Sequence, residues 1–319
     1  MTAPAFTDTA VAPPFAAAVD AAPPAASWAA DVSQLTRPRI AVMVLATVVT
    51  ALWLTGGRPE QPAAVAVLLL GTALVAASSS IANQIVERAT DRRMARTAAR
   101  PLAVGRLAVR DAWWLAAVMV IAGSAVVWAS GGGPAAAAAV ATWLLYVLVY
   151  TPLKRITPLN TAVGAIAGAL PVAIGWLAAD GPARLAAGDA RGGLAAAALA
   201  TVLYLWQFPH FMAIAWLYRR QYEVAGLKML TVVDPSGLRA AGQSLAAALA
   251  MVPASLVLAV PSGSVRLFCV AAVASIVYVG SAIRFAVRRD DASARILLFT
   301  SLGSLLGLLS AAVAFGRPL

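Results

Sequence analysis

Cysteine and histidine are almost absent from this chain of 319 residues, which has one of each. The single cysteine, Cys269, excludes an intramolecular disulfide framework, and its apolar surroundings favour a role in packing or facing lipid. The single histidine, His210, excludes a metal site built from several histidines. Residues 1–34 also lack the basic and continuous apolar segments of a signal peptide. Their Ala- and Pro-rich composition predicts a disordered cytoplasmic tail.

Charged side chains are scarce as well, at 12% of the residues, whereas 61% are apolar. Since about a quarter of the residues in a soluble domain are charged, this composition indicates an all-α polytopic membrane protein, with the lipid bilayer as its surroundings. The net charge of +11 comes from basic residues in short gaps between apolar runs. No polar domain with interspersed aromatic residues is present to hold a nucleic acid strand, so the charge is better explained by membrane topology.

Nine segments are long enough, or nearly so, to cross a bilayer core, which needs roughly 20 residues. They lie near 39–55, 63–85, 112–130, 134–151, 159–179, 193–217, 241–260, 265–286 and 296–315. When the loops are assigned alternately to the two sides, 19 of the 24 Lys and Arg residues fall on the side of the N-terminus. Because basic loops stay in the cytoplasm, the sequence predicts one transmembrane domain over 35–319 in a bacterial-type inner (plasma) membrane, with a cytoplasmic N-terminus.

The densest polar stretch, residues 83–102, follows a long run of apolar and small residues. Asn83, Glu87 and Asp91 are spaced so that they share one face of a continuing helix. Four arginines repeat at the same interval on the neighbouring stripe: Arg88, Arg92, Arg96 and Arg100. Carboxylate and amide oxygens suit a hard cation and guanidinium groups suit phosphate, which describes a magnesium–diphosphate site. A solvated juxtamembrane segment with an Asp91–Arg88 ion pair explains the spacing equally well.

Two further segments on the same predicted face carry charge. Lys154 and Arg155 follow the fourth span and either hold a phosphate or obey the positive-inside rule. The loop after the sixth span, 218–239, contains two acids, Glu223 and Asp234, beside Arg219, Arg220 and Lys228. It is a second candidate metal and phosphate region, or else a solvated loop with a turn at Asp234. In the fifth span, Gly164 and Gly168 predict close helix packing, and Pro171 predicts a kink that opens a cavity.

The sixth span contains a cluster of polar and aromatic residues, Tyr204–Phe211, in an otherwise apolar run. A polar side chain such as His210 is costly in that environment and usually faces a cavity or a partner. His210 and Gln207 are therefore candidates to line an acceptor pocket, where they would contact a ring or a propionate or ligate iron. The structural alternative is a hydrogen bond from His210 to a carbonyl group that Pro209 leaves unpaired.

Together these residues resemble the UbiA superfamily of intramembrane prenyltransferases and, within it, the protohaem IX farnesyltransferase branch. The matching positions, motif by motif, are Asn83, Glu87 and Asp91; Met94, Arg96, Thr97, Arg100, Pro101 and Leu102; Tyr150, Thr151, Leu153, Lys154 and Arg155; Trp206, Gln207, Pro209, His210 and Phe211; and Ala225, Gly226, Met229 and Leu230. The Trp-Gln-x-Pro-His-Phe element singles out the haem branch. One position departs from the family, which usually has an aspartate where this chain has Gln221.

The resemblance implies nine helices around a central cavity and the transfer of a farnesyl group from farnesyl diphosphate to the vinyl group of haem B. The product, haem O, would serve terminal oxidases, with haem A synthase or oxidase assembly factors as partners. The implied Mg²⁺ ligands, which also form the catalytic set, are Asn83, Glu87 and Asp91, with Glu223 or Asp234 as additions. The implied diphosphate ligands are Arg92, Arg96, Arg100, Lys154, Arg155 and Arg220. The implied haem and prenyl pocket consists of Trp206, Gln207, His210, Phe211 and Tyr222.

Two other functions fit part of the pattern. A UbiA-type enzyme acting on an aromatic or quinone precursor would share the first motif, although the Trp206–Phe211 element favours haem. A transporter without catalytic activity would also have many small-residue-rich spans. Transporters, however, usually keep functional charges near the bilayer midplane, whereas nearly all the charges here gather at one face.

Overall fold

The computed structural model describes residues 27–56 and 62–316, and within those ranges the chain is helical, without strands. The helices are α1 (Trp28–Thr36), α2 (Pro38–Leu54), α3 (Pro62–Asp91), α4 (Pro101–Val104), α5 (Val109–Leu144), α6 (Thr151–Leu153), α7 (Asn160–Ala169), α8 (Pro171–Ala178), α9 (Gly181–Ala186), α10 (Ala190–Leu217), α11 (Arg219–Val224), α12 (Leu230–Val233), α13 (Leu238–Val257), α14 (Val265–Arg288) and α15 (Asp291–Phe315). A π-helical segment, Leu145–Tyr150, joins α5 to α6. The predicted all-α fold is confirmed.

Among the described residues, seven helical stretches are long and apolar enough to cross a membrane, or up to eight if the bent pair α1–α2 counts as one span. The chain is therefore a multi-pass membrane protein, but the predicted count of nine is not confirmed. The longest of these stretches, Val109–Leu153, contains two of the predicted segments, 112–130 and 134–151.

Contacts of Ser78 show that α5 folds back on itself. The Ser78 hydroxyl donates to the carbonyl of Ala116 at 2.7 Å and accepts from Trp143 Nε1 at 2.9 Å. An unbroken helix would hold Ala116 and Trp143 about 40 Å apart. The reversal lies at Gly132, whose φ of 81° and ψ of 170° are non-helical and favour glycine. The two arms of α5 therefore pass α3 in opposite directions and return the chain to the end of α3 that carries Asp91.

Small residues and a proline shape the helix contacts. A Cβ atom built on Gly71 of α3 would lie 2.9 Å from the carbonyl oxygen of Gly123 on α5, so only glycine permits this approach. The predicted packing role of Gly164 is confirmed, because the Tyr150 ring fills the space beside it. A break at the predicted position is present, since α7 ends at Ala169 and α8 begins at Pro171, while the two together form one candidate span, Asn160–Ala178.

The predicted disordered tail, residues 1–34, is wrong over its last residues. Residues 1–26 lie outside the described residues, but α1 begins at Trp28 and packs against α3. Asp31 and Leu35, one helical turn apart, share its buried face at 5% and 2% exposure. Ser27 caps the helix by accepting a hydrogen bond from the N–H of Ala30 at 3.3 Å. A capped helix with a buried face is stable despite the Ala-rich composition.

Candidate functional site

Three polar segments meet at one end of the helix bundle: the end of α3 with the loop after it, the connector after α6, and the loop around α11. Lys154 Nζ lies 2.8 Å from Glu87 Oε1. The N–H of Lys228 donates to the carbonyl of Lys154 at 2.6 Å. The N–H of Arg96 donates to Gln221 Oε1 at 3.2 Å. The charged segments that the sequence predicted on one face therefore lie together.

The first motif occupies one buried face at the end of α3. Asn83, Glu87 and Asp91 are 0%, 9% and 1% exposed, which does not agree with a solvated segment. Asn83 Nδ2 donates to the hydroxyl of Thr151 at 3.0 Å. Asp91 Oδ2 accepts from Arg100 at 2.7 Å. The alternative interpretation required Arg88 as the partner of Asp91 and is therefore not supported.

Two oxygens on this face are buried and have no hydrogen-bond partner among the described residues: Asn83 Oδ1 and Asp91 Oδ1. Such atoms are uncommon in folded proteins and call for an explanation. Both belong to the ligand types that Mg²⁺ prefers, and protein magnesium sites often use one or two carboxylates together with substrate phosphates. The described residues contain no group of three or more His, Cys, Asp and Glu side chains that could hold a metal. The face fits an ion whose coordination is completed by a diphosphate.

The predicted additional metal ligands do not join this face. Asp234 Oδ2 accepts from the N–H of Arg239 at 2.8 Å, and Oδ1 accepts from Ser236, so Asp234 stabilises the turn before α13. These bonds lower the pKa of Asp234. Glu223 is exposed on α11. The amide oxygen of Gln221 is already bonded to the backbone of Arg96, so Gln221 links the two loops.

Two cations hold the acids of the motif. Burial has the largest single effect and lowers the pKa of Lys154, but the charge and hydrogen bond of Glu87, together with Tyr150 and Tyr146, outweigh it and raise the pKa above its ordinary value. The same ammonium group lies 4.3 Å from the centroid of the Tyr150 ring. Burial and then the neighbouring cation Arg37 lower the pKa of Arg100. Arg100 thus lies in surroundings with more positive charge than one carboxylate offsets.

The other predicted diphosphate ligands differ in position. Arg96 reaches the site region and donates to the hydroxyl of Tyr222 at 3.4 Å. Arg92 Nε instead donates to the carbonyl of Ala103 at 2.5 Å, which commits it to the loop after α3. Arg155 donates to the carbonyl of Val86 at 3.3 Å from an exposed position. Arg220 is exposed on α11.

Tyr222 lies at this charged end of the bundle. Its hydroxyl accepts from Arg96, and the residue is 8% exposed. Burial raises the pKa of Tyr222 above its ordinary value, so its hydroxyl stays neutral at physiological pH. α11 thus turns Tyr222 toward the loop after α3, and its place in the haem and prenyl pocket stays a prediction.

The cluster on α10 divides into two contact sets. The rings of Trp206 and His210 stack with centroids 4.6 Å apart, and His210 Nδ1 lies 2.7 Å from the hydroxyl of Ser301 on α15. His210 therefore pairs with a side chain rather than with a carbonyl near Pro209. The ring of Phe211 meets that of His210 edge to face at 5.7 Å.

Gln207 faces α7 instead. Its Nε2 donates to the carbonyls of Ala165 and Leu203, each at 3.0 Å. Its predicted role in the acceptor pocket is not supported, because the amide group already joins two helices. On a helix with 3.6 residues per turn, the side chain at 207 points about 100° away from that at 206 and about 60° away from that at 210, so it meets different neighbours.

Two residues near the site were missed by the sequence interpretation. Arg37 has one buried guanidinium nitrogen without a partner. Asn160 donates to the carbonyls of Thr157 at 2.6 Å and Lys228 at 3.3 Å and so ties the connector to the second loop. The sequence shows Arg37 only as a basic residue before the apolar run that begins near 39, and Asn160 only as a polar residue at the start of the segment 159–179. Neither position has a sequence pattern that marks it as part of a site.

Several known proteins are similar to this chain in sequence or in fold. The UbiA prenyltransferase family matches residues 44–303. The protoheme IX farnesyltransferase of Rhodopirellula baltica is 43% identical over 226 residues, covering 71% of this chain and 76% of the relative. That of Solibacter usitatus is 35% identical over 283 residues, covering 85% and 93%. A UbiA homologue from Archaeoglobus fulgidus, solved with GPP and Mg²⁺, shares the fold with a TM-score of 0.61 at 17% identity, covering 89% and 99%.

Proposed function

Because this chain belongs to the UbiA prenyltransferase family, we propose that it transfers a farnesyl group from farnesyl diphosphate to the vinyl group of haem B and so makes haem O. The observation that supports the site most directly is the buried face of Asn83, Glu87 and Asp91, with two unpartnered oxygens beside Lys154 and Arg100. The relatives named protoheme IX farnesyltransferase support the choice of acceptor.

Mg²⁺, when bound, would neutralise charge on the diphosphate and make it a better leaving group. Asn83 and Asp91 are the residues to hold it, through their unpartnered oxygens, with Glu87 on the same face. Lys154 and Arg100 pair with the two acids in this structure, and each is in place to exchange a carboxylate for a phosphate oxygen. Arg96, with the neutral hydroxyl of Tyr222, lies on the side toward the second loop.

The reaction breaks the bond between farnesyl C1 and the diphosphate oxygen, and the electron pair leaves with the diphosphate. The vinyl group of haem then supplies the electrons for the new carbon–carbon bond. Water adds to the resulting cation and loses a proton, which leaves a hydroxyethylfarnesyl side chain. The residues at the end of α3 act electrostatically, by stabilising charge on the departing diphosphate. The apolar helices shield the allylic cation from early attack by water.

The acceptor would lie along α10, beside Trp206, His210 and Phe211. The active-site loops and the N-terminus would face the cytoplasm of a bacterial-type inner membrane, because the basic residues concentrate at that end. Haem O would then pass to haem A synthase or to an oxidase under assembly.

The deciding experiment supplies membranes containing this protein with farnesyl diphosphate, Mg²⁺, haem B and 4-hydroxybenzoate together. Mass spectrometry should detect haem O among the products of these membranes and no haem O among the products of membranes that lack the protein. Prenylated hydroxybenzoate without haem O would favour the alternative, an enzyme of quinone-precursor type, and contradict the proposal.

A His210→Ala variant tests the acceptor side. We expect its KM for haem B to rise about five- to thirtyfold, because a stacked ring and one hydrogen-bonding group are lost. Its KM for farnesyl diphosphate should stay unchanged, since His210 contacts α15 rather than the charged end. Thr201→Ala, an exposed change on the same helix, is the control. Equal kinetics for both substrates in His210→Ala and the parent would assign His210 a purely structural role.

A further inference from the structure

The short helix α1 is attached to the helix that carries the first motif. Gln84, next to Asn83 on α3, donates through Nε2 to the carbonyl of Leu35 at 2.8 Å and of Gln34 at 3.2 Å. These carbonyls lie at the C-terminal end of α1, where a helix leaves its acceptors unsatisfied. A polar side chain of the motif helix thus caps α1.

An ion pair fixes the other part of α1. Arg106, in the loop before α5, donates to Asp31 through Nε and Nη2. The shortest of these bonds, from Nη2 to Oδ1, is 2.7 Å. Asp31 is 5% exposed, so the pair is shielded from solvent. With both attachments in place, the position and direction of α1 relative to α3 are determined.

Arg37 ends α1 and precedes α2 in a conformation that arginine seldom adopts. Its φ of 49° and ψ of 64° lie in the left-handed region, and its N–H donates to the carbonyl of Ser33 at 3.1 Å. Such a conformation costs of order 1 kcal/mol and persists only where surrounding contacts impose it. Here those contacts are the two attachments of α1.

Among the described residues, the guanidinium of Arg37 forms no ion pair, and one of its nitrogens is buried without a hydrogen-bond partner. Leu35, two residues before it, accepts from Gln84, the residue next to Asn83, so Arg37 lies at the end of α1 that is bonded to the motif helix. Glu87 and Asp91 are already paired with Lys154 and Arg100. A buried surplus of positive charge with an unused donor calls for an anion with several oxygens.

We propose that Arg37 is a further binding residue for the diphosphate of the donor, and that α1 is the element that positions it. The inference rests on the proposed function of this end of the bundle as a diphosphate site. With this role, α1, which precedes the first long span, belongs to the active site and does more than connect the N-terminal segment to the membrane domain.

The test compares Arg37→Ala and Arg37→Lys with the matched control Arg39→Ala, an exposed arginine two residues away. We expect Arg37→Ala to raise the KM for farnesyl diphosphate roughly ten- to a hundredfold, the effect of one lost charge-assisted contact. Inhibition by inorganic pyrophosphate should weaken by the same factor, the KM for haem B should change less than about twofold, and lysine should restore part of the affinity. Kinetics of Arg37→Ala equal to those of Arg39→Ala would overturn the assignment.

Asp31→Asn tests the positioning role of α1. It should raise the KM for farnesyl diphosphate by less than Arg37→Ala does, and the double variant should be no worse than Arg37→Ala alone, because both changes act through one side chain. If the effects of Asp31→Asn and Arg37→Ala on this KM were fully additive, Asp31 would not act by positioning Arg37.

A binding assay separates this inference from the proposed function. Inorganic pyrophosphate with Mg²⁺ should raise the Tm of the detergent-solubilised parent and of Arg39→Ala, but raise that of Arg37→Ala much less. If Arg37→Ala is stabilised less in this way but the protein makes no haem O, the acceptor assignment is refuted and the role of Arg37 in diphosphate binding is supported. Haem O formation together with equal protection of all three proteins would refute Arg37 alone.

Discussion

An Asp91→Asn variant is expected to transfer farnesyl at least about a hundredfold more slowly than the parent, since a preorganised electrostatic contact to the leaving group is removed. Asp91 is 1% exposed, and one of its oxygens is buried without a partner. Asparagine preserves the size and an oxygen that can accept from Arg100, so the loop after α3 should keep its shape. It lacks the negative charge that binds a divalent ion. The measurement is the rate of haem O formation over a range of Mg²⁺ concentrations.

The control for this variant is Asp111→Asn. Asp111 lies in the first turn of α5, its side chain is 65% exposed, and it pairs with the exposed Arg110. The same chemical change there should leave the rate unaltered, because an exposed ion pair contributes little. A rate in Asp91→Asn close to that of Asp111→Asn, at any Mg²⁺ concentration, would remove Asp91 from the proposed metal site.

Helical spacing was enough to predict the first half of the candidate site. The interval of four between Asn83, Glu87 and Asp91 puts them on one face wherever the helix continues, and α3 does continue to Asp91. The break at 131–133 was predicted as the gap between the segments 112–130 and 134–151, which put Glu87 and Lys154 on one face. The pairing of these two side chains was beyond the sequence, because a shared face does not determine which side chains meet.

Residues in loops were predicted less well, since their side chains have several possible partners. Asp234 was proposed as a metal ligand, but the adjacent N–H groups of its own turn satisfy it first. The contact between Tyr222 and Arg96 was not foreseen, because the direction of α11 is set by tertiary packing. Arg37 was overlooked because its importance comes from an unpartnered buried nitrogen, which no sequence pattern displays.

The number of membrane spans illustrates a different limit. Hydropathy gave nine segments, and the described helices give seven or eight candidates by length and composition. The two arms of α5, which run past α3 in opposite directions, correspond to the two predicted segments 112–130 and 134–151 but lie in a single helical stretch of that count. The short α2, of 17 residues, reaches a span's length only together with α1.

Lys154→Met should reduce kcat/KM for farnesyl diphosphate by about a hundredfold, a typical result of truncating one member of a buried charge pair that also meets a ligand. The variant should also be less stable by about 3–5 kcal/mol, because Glu87 is left buried without its cation. The double variant Glu87→Gln/Lys154→Met removes that unpaired charge. It should regain most of the stability in thermal unfolding but none of the activity. Recovery of both would reduce Lys154 to a structural partner of Glu87.

The control is Lys228→Met, whose exposed side chain can be replaced while its N–H bond to the carbonyl of Lys154 is kept. The pH dependence adds a second test. Because Glu87 raises the pKa of Lys154 above its ordinary 10.5, the pair stabilises the folded state fully below the unfolded pKa and loses this effect only as pH rises through the higher folded pKa. The double variant Glu87→Gln/Lys154→Met leaves no unpaired Glu87 carboxylate to titrate, so the difference in Tm between the parent and this double variant should be constant from about pH 6 to 9. A difference that shrinks within that range would mean that Lys154 is not held by Glu87 in the membrane-embedded protein.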